Sequence, residues 1–150
     1  MIKSLFAFIF ARGGSKGIKN KNLINFKGKP LIYHSIMIAK ELRIFKKIYV
    51  CTDSNEIANY SKKLNVEIIK RPKYLAQNNS PEFLSWKYSI NYLDKKKIKF
   101  DTFVSLPTTS PLRLKKDILK TIKKLKNKTD IVTCATKSNR NPWYNMIKRK

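Results

Sequence analysis

Hydrophobic and polar positions along the chain fall into alternating strand-like and helix-like patterns. Leu5 to Ala11 is a continuous apolar run that ends in glycines, as expected of a strand buried on both faces. Pro30 then stands where a first helical turn tolerates proline, and Leu31, Ser35, Ile38 and Leu42 follow at helical spacing. Ile48 to Cys51 reads as a second strand. Asp53 and Glu56 are spaced as a capping box for a helix carrying Ile57, Tyr60 and Leu64. Val66 to Ile69 is a third strand, and Arg71 to Asn79 is irregular. Ser80 and Pro81 open a helix whose face is Phe83, Trp86, Ile90 and Leu93. Thr102 to Leu106 returns to strand, Pro107 to Arg113 is a loop, and Leu114, Ile118, Ile122 and Leu125 line a lysine-rich helix. Ile131 to Ala135 makes a fifth strand.

Strands alternating with helices predict an α/β fold with a mostly parallel sheet and right-handed crossovers. In such sheets ligands bind beyond the carboxyl ends of the strands. That rule selects the loops Arg12 to Asn22, Thr52 to Ser54 and Pro107 to Arg113, with Arg71 after the third strand. All carry basic or hydroxyl-bearing residues, so they are expected to converge on something anionic.

The 150 residues amount to one domain, and 42% hydrophobic content is ordinary for a globular chain. No apolar run approaches the ~20 residues that cross a bilayer. The opening stretch runs straight into Arg12 with no small-residue cleavage site, so it reads as a buried strand, and a cytoplasmic protein with no membrane partner is expected. Cys51 and Cys134 lack any paired metal-ligand spacing and read as reduced core thiols. The formal charge of +25 raises the possibility of a nucleic-acid-binding module. Its excess is mostly lysine spread over every helix, without interleaved aromatics, which fits solvated faces and no specific nucleic-acid partner.

The most informative stretch is ARGGSKGIKNKNL, Ala11 to Leu23. Gly13 and Gly14 allow a sharp turn that would offer amide donors to a phosphate. Arg12, Lys16 and Lys21 bring cations to the same place, and Ser15 and Asn22 bring hydrogen-bonding groups. The order fits neither a Walker loop nor the three-glycine dinucleotide spacing. On the residues alone, a polyphosphate cradle and a plain basic glycine turn both stand.

This stretch is similar to the signature of acylneuraminate cytidylyltransferases, in which a strand is followed by Arg, Ser-Lys and Lys-Asn-Leu. The likeness continues through GKPLI from Gly28, CTDS from Cys51, Arg71-Pro72 and TSPLR from Thr109. It implies a Rossmann-like three-layer nucleotidyltransferase fold. It also implies transfer of CMP from CTP to an acidic nine-carbon sugar, with pyrophosphate released, Mg²⁺ as cofactor and a homodimer. Arg12, Gly13, Gly14, Ser15, Lys16, Lys21, Asn22 and Arg71 would hold the nucleotide, with Arg12, Lys16 and Lys21 neutralising the leaving pyrophosphate. Sialic acid, legionaminate and pseudaminate all remain open as acceptors. Kdo is disfavoured, since its enzymes carry Gln-Gly-Asp-Glu-Pro where this chain has Thr-Ser-Pro-Leu-Arg, and an inactive nucleotide-binding remnant is the other alternative. Pro107 stands where family members often have Gln, and Asn78 where an Asp is common. The family's metal-binding aspartates are expected beyond Lys150, so residues 1–150 read as a truncated nucleotide-binding domain.

Elsewhere the single histidine, His34, is expected to be structural. Asp53 is expected to cap a helix rather than meet a metal, and Thr109 or Ser110 to cap the next one. Trp86 and Trp143 are expected in the core or at a subunit contact.

Overall fold

Strand β1, Leu5–Phe10, is apolar throughout because it has a parallel neighbour on either side and a covered surface on each face. Phe6, Phe8 and Phe10 point to one face and Ala7 and Ile9 to the other, all of them buried. The chain is described here from a computed structural model that covers residues 4–15, 17–77, 79–126 and 128–135. It divides into two units, one ending at Leu112 and the other beginning at Arg113.

In the first unit, β1 is followed by a two-residue hairpin of β2, Asn25–Phe26, and β3, Lys29–Pro30. Lys27 and Gly28 both have positive φ, 51° and 81°, as the tight hairpin turn requires. The Gly28 amide donates to Asn25 Oδ1 at 2.8 Å. Helix α1, Leu31–Leu42, starts directly after Pro30. Its buried positions are Leu31, Ile32, Ser35, Ile36 and Ala39, whereas Ile38 and Leu42 stay half-exposed. His34 is structural as expected: its Nε2 donates to the Phe26 carbonyl at 2.8 Å and ties α1 to the hairpin.

Three further strands complete the parallel sheet: β4, Lys47–Thr52, β5, Glu67–Lys70, and β6, Thr102–Ser105. Their order is β5-β4-β1-β6. Helix α2, Asn55–Lys63, joins β4 to β5, and α3, Glu82–Lys95, joins β5 to β6. The first two crossovers step one way from β1 and the third returns past it. Right-handed connections therefore place α1 and α2 on one face and α3 on the other, giving three layers. The sequence order reverses at β1, where an α/β sheet opens a crevice beyond its carboxyl edge.

The α3 layer rests on an aromatic floor. Phe8 stacks on Phe103 at 4.3 Å and on Tyr49 at 5.5 Å, and Phe6 stacks on Phe100 at 4.9 Å. Burying each such ring contributes roughly 1.5–3 kcal/mol. Helix α3 faces this floor with Ser85, Ser89 and the expected Trp86 and Leu93, whereas Phe83 and Ile90, expected on the same face, are exposed. Bulky rings already fill the floor, and small serines leave room for a buried arginine described below.

The expected capping box is corrected. Ser54 caps α2, its Oγ accepting from the Ile57 amide at 3.3 Å, and Asp53 is engaged elsewhere. Residues 73–76, expected to be irregular, form a turn of 3-10 helix.

The second unit holds α4, Lys115–Lys124, whose cap position is Leu114, so neither Thr109 nor Ser110 caps it. The expected fifth strand at 131–135 does not form: these residues pair with no strand among the described residues, and Ile131 is 76% exposed. A strand needs a neighbour for its amides and carbonyls, and local propensity does not supply one. Cys134 is accordingly exposed, contrary to expectation, while Cys51 is buried in β4. Trp143 lies outside the described residues. No helix among the described residues is long and apolar enough to cross a membrane.

Candidate functional site

Beyond β1 the chain is held by bonds that leave little freedom. The Ala11 amide donates to the Cys51 carbonyl at 3.0 Å, extending the β1–β4 ladder by one step. The Gly13 amide donates to Asp53 Oδ1, also at 3.0 Å. A Cβ on Gly13 would lie 2.9 Å from Ser54 Cβ, so only glycine permits this approach. Asp53 therefore anchors the glycine turn, which is why it does not cap α2. The Gly13 amide is used internally and is not free for a phosphate, a correction to the simple cradle picture. Gly14 has open space around it and does not line the cleft. Lys16 lies outside the described residues.

A cleft of about 260 Å³ opens at the carboxyl edge of the sheet, walled by residues following β1, β5 and β6. It brings together Arg12, Ser15, Lys21, Asn22 and Arg71, all expected as site residues. Loop placement and the strand-edge rule were enough to anticipate them. Gln77, Ser80 and Glu82 also line it and were not anticipated, because nothing in their local sequence marks them as converging there. Thr108 and Thr109 line it too, and belong to the loop Pro107 to Arg113 that the strand-edge rule selects. Pro107, the first residue of that loop and the one standing where family members often have Gln, is part of the wall as well.

Arg71 is the unusual member. Its amide donates to the Thr52 carbonyl at 2.8 Å, which continues β5 and turns the side chain inward. The residue is only 6% exposed, and its Nη1 donates to Ser85 Oγ at 3.2 Å. Its Nε and Nη2 have no hydrogen-bond partner among the described residues. A buried cation with open donors is costly unless something anionic completes it. Nearby, burial pushes the Cys51 thiol up from its ordinary pKa, against the opposing effects of Ser89 and the Arg71 charge.

Arg12 Nη1 donates to the Gln77 carbonyl at 3.1 Å, which swings its guanidinium across the cleft mouth. Asn22 is buried, and its Nδ2 donates to the Arg12 carbonyl at 2.9 Å while its Oδ1 accepts from Thr108 at 2.7 Å. Its carbonyl oxygen is thereby occupied within the fold. Glu82 is the single carboxylate among the cleft-lining residues, and its Oε1 accepts from the Trp86 indole at 3.1 Å. Among the described residues no group of three or more His, Cys, Asp or Glu gathers as metal ligands. Asp53 and Glu82 each serve an internal bond through one carboxylate oxygen, and no chemical step is assigned through a metal.

The anion-seeking cleft, the reversed strand order and the ordered motifs can be set against known proteins. The family model described as cytidylyltransferase matches residues 6–142. This chain belongs to the cytidylyltransferase family. Relatives of this family member include "Post-translational flagellin modification protein B" of Campylobacter coli, 34% identical over 97% of this chain and 63% of its own length. An N-acylneuraminate cytidylyltransferase of Escherichia coli O18:K1:H7 is 31% identical over 93% of this chain and 33% of its own. The chain thus spans between a third and two thirds of the length of these curated relatives. Among solved structures, CMP:2-keto-3-deoxy-manno-octonic acid synthetase complexed with CTP superposes with a TM-score of 0.66. It is 19% identical and covers 81% of this chain and 46% of its own. At that identity the likeness establishes the fold, and it is the Rossmann-like nucleotidyltransferase fold expected from the sequence.

Proposed function

We propose that this cytidylyltransferase-family chain binds CTP in the cleft and belongs to an enzyme that transfers CMP to an acidic nine-carbon sugar, releasing pyrophosphate. The observation that carries the reading is Arg71: a buried guanidinium with unpartnered Nε and Nη2, in the same cleft as Arg12 and Lys21. Three cations converging beyond a parallel sheet suit a ligand with several negative charges.

In this reading the acceptor hydroxyl attacks the α-phosphorus in line, and charge develops on the departing pyrophosphate. Catalysis then rests on holding the reactants in place and stabilising that charge. Arg12 and Lys21 supply fixed positive charge at the cleft, Arg12 with its guanidinium already restrained by Gln77. Such preorganised charge lowers the barrier because it need not reorganise as the bond breaks. Ser15 adds a hydroxyl to the same wall. Lys16 is proposed as a third cation of the set.

Thermal protection by nucleotides tests the reading. CTP should raise the unfolding midpoint more than ATP or GTP at equal concentration, and Arg12→Ala or Lys21→Ala should erase the difference. Equal protection by all three nucleotides would overturn it.

A further inference from the structure

The peptide unit joining Arg12 to Gly13 is gripped at both ends. Its carbonyl oxygen accepts from Asn22 Nδ2 at 2.9 Å, and its N–H donates to Asp53 Oδ1 at 3.0 Å. Because a peptide unit is planar, fixing both polar atoms fixes the plane and the Arg12 Cα within it. The Ala11 amide is held by the Cys51 carbonyl on the upstream side, so the backbone that carries the Arg12 side chain is restrained at both ends. One grip is a charge-assisted hydrogen bond and comes from the β4 loop. The other depends on a neutral amide that must be held the right way round.

Thr108 holds it. A carbonyl only accepts, so the Asn22 nitrogen must face Arg12 and its oxygen must face Thr108. The Thr108 hydroxyl then donates its single hydrogen to Asn22 Oδ1 at 2.7 Å. Both partners are buried, at 4% and 3% exposure, so solvent has little access to replace the bond. The chain of donors runs one way, from Thr108 through Asn22 to the Arg12 carbonyl, and each bond polarises the next. It spans 86 residues of sequence and links the loop after β6 to the loop after β1. The Asn22 amide keeps one further hydrogen, and the Thr108 oxygen keeps its lone pairs, both in residues lining the cleft.

We propose that Thr108 is a positioning residue for nucleotide binding, acting through Asn22 to set the Arg12–Gly13 peptide. It rests on the cytidylyltransferase reading only for the identity of the ligand. The clamp itself belongs to the free protein.

Thr108→Val keeps the shape and removes the hydroxyl, leaving Asn22 Oδ1 buried without a donor, whereas Thr108→Ser keeps the donor. Two readouts separate the claims. Amide hydrogen exchange on the ligand-free protein reads the clamp at Gly13, and calorimetric titration with CTP reads its use. Thr108→Val should speed Gly13 exchange and weaken CTP binding, each about tenfold, as expected when a buried acceptor loses its donor. Thr108→Ser should stay near the parent in both. In an Asn22→Ala background Thr108→Val should add nothing further. Unchanged Gly13 exchange and CTP affinity in Thr108→Val, or an equal added loss in the Asn22→Ala background, would overturn the proposal. Faster Gly13 exchange in a protein whose parent binds no CTP would uphold the clamp and defeat the cytidylyltransferase reading.

Discussion

Arg71 illustrates how one residue can be a burden to the fold and an asset to a site. Its guanidinium is nearly inaccessible, with a single side-chain partner in Ser85, and two of its nitrogens are unpaired among the described residues. Replacing a buried, incompletely paired charge by an apolar side chain of similar length is often neutral or stabilising. Arg71→Met is therefore expected to leave the unfolding free energy unchanged or raise it by about 1 kcal/mol. The same substitution should abolish protection by CTP. Chemical denaturation and ligand-induced midpoint shifts, measured on the same preparations, check both halves. A residue kept only for packing would lose stability and ligand response together.

The two thiols form a second contrast at this scale. Cys51 is buried in β4 and burial raises its pKa, which suppresses the reactive thiolate in the native state. Cys134 is exposed. One thiol should react promptly with an aromatic disulfide reagent under native conditions at neutral pH, and the second only on unfolding. Prompt reaction of both would mean that β4 opens readily.

At the scale of elements, the turn after β4 divides its labour between adjacent side chains. Ser54 caps α2, and Asp53 reaches back to the Gly13 amide. Ser54→Ala should cost about 1 kcal/mol, the usual value of a lost helix cap, with little effect on CTP affinity. Asp53→Ala should cost about 1.5 kcal/mol, since it removes a charge-assisted bond, and should also weaken CTP binding by loosening the turn. Denaturant titration paired with calorimetry distinguishes the two. Spacing alone favoured Asp53 as the cap because an acidic residue three positions before Glu56 fits a capping box. The glycine turn that claims the Asp53 carboxylate comes from 40 residues earlier, and no local pattern announces it. Helix α3 misled for a related reason. Its apolar periodicity pointed to Phe83 and Ile90, but the floor beneath it was already filled by rings from β1, β4 and β6.

For the molecule as a whole, 34 basic and 9 acidic residues leave a formal charge of +25 that pairing within the chain cannot neutralise. Lys47 and Glu67 form an ion pair at 2.7 Å on the surface. Such a field raises the local concentration of polyanions and is screened by salt. CTP affinity should fall several-fold between about 50 and about 300 mM salt, because the screening length shortens across that range. A salt-independent affinity would place the ligand away from the cationic cleft.

The amino-acid sequence determined the alternation of strands and helices, the parallel sheet and the loops that carry the cleft. These follow from local periodicity and from the rule that binding loops lie at one sheet edge, and Arg12, Ser15, Lys21, Asn22 and Arg71 do meet there. Tertiary structure alone decided which polar groups face the cleft and which are consumed inside the fold. The Gly13 amide and the Asn22 carbonyl oxygen looked available in one dimension, Asp53 looked committed to a helix cap, and Thr108 was marked only as a member of a selected loop. A hydrogen bond formed across 40 or 86 positions depends on where the strands bring those atoms, and so it becomes visible only once the sheet has assembled.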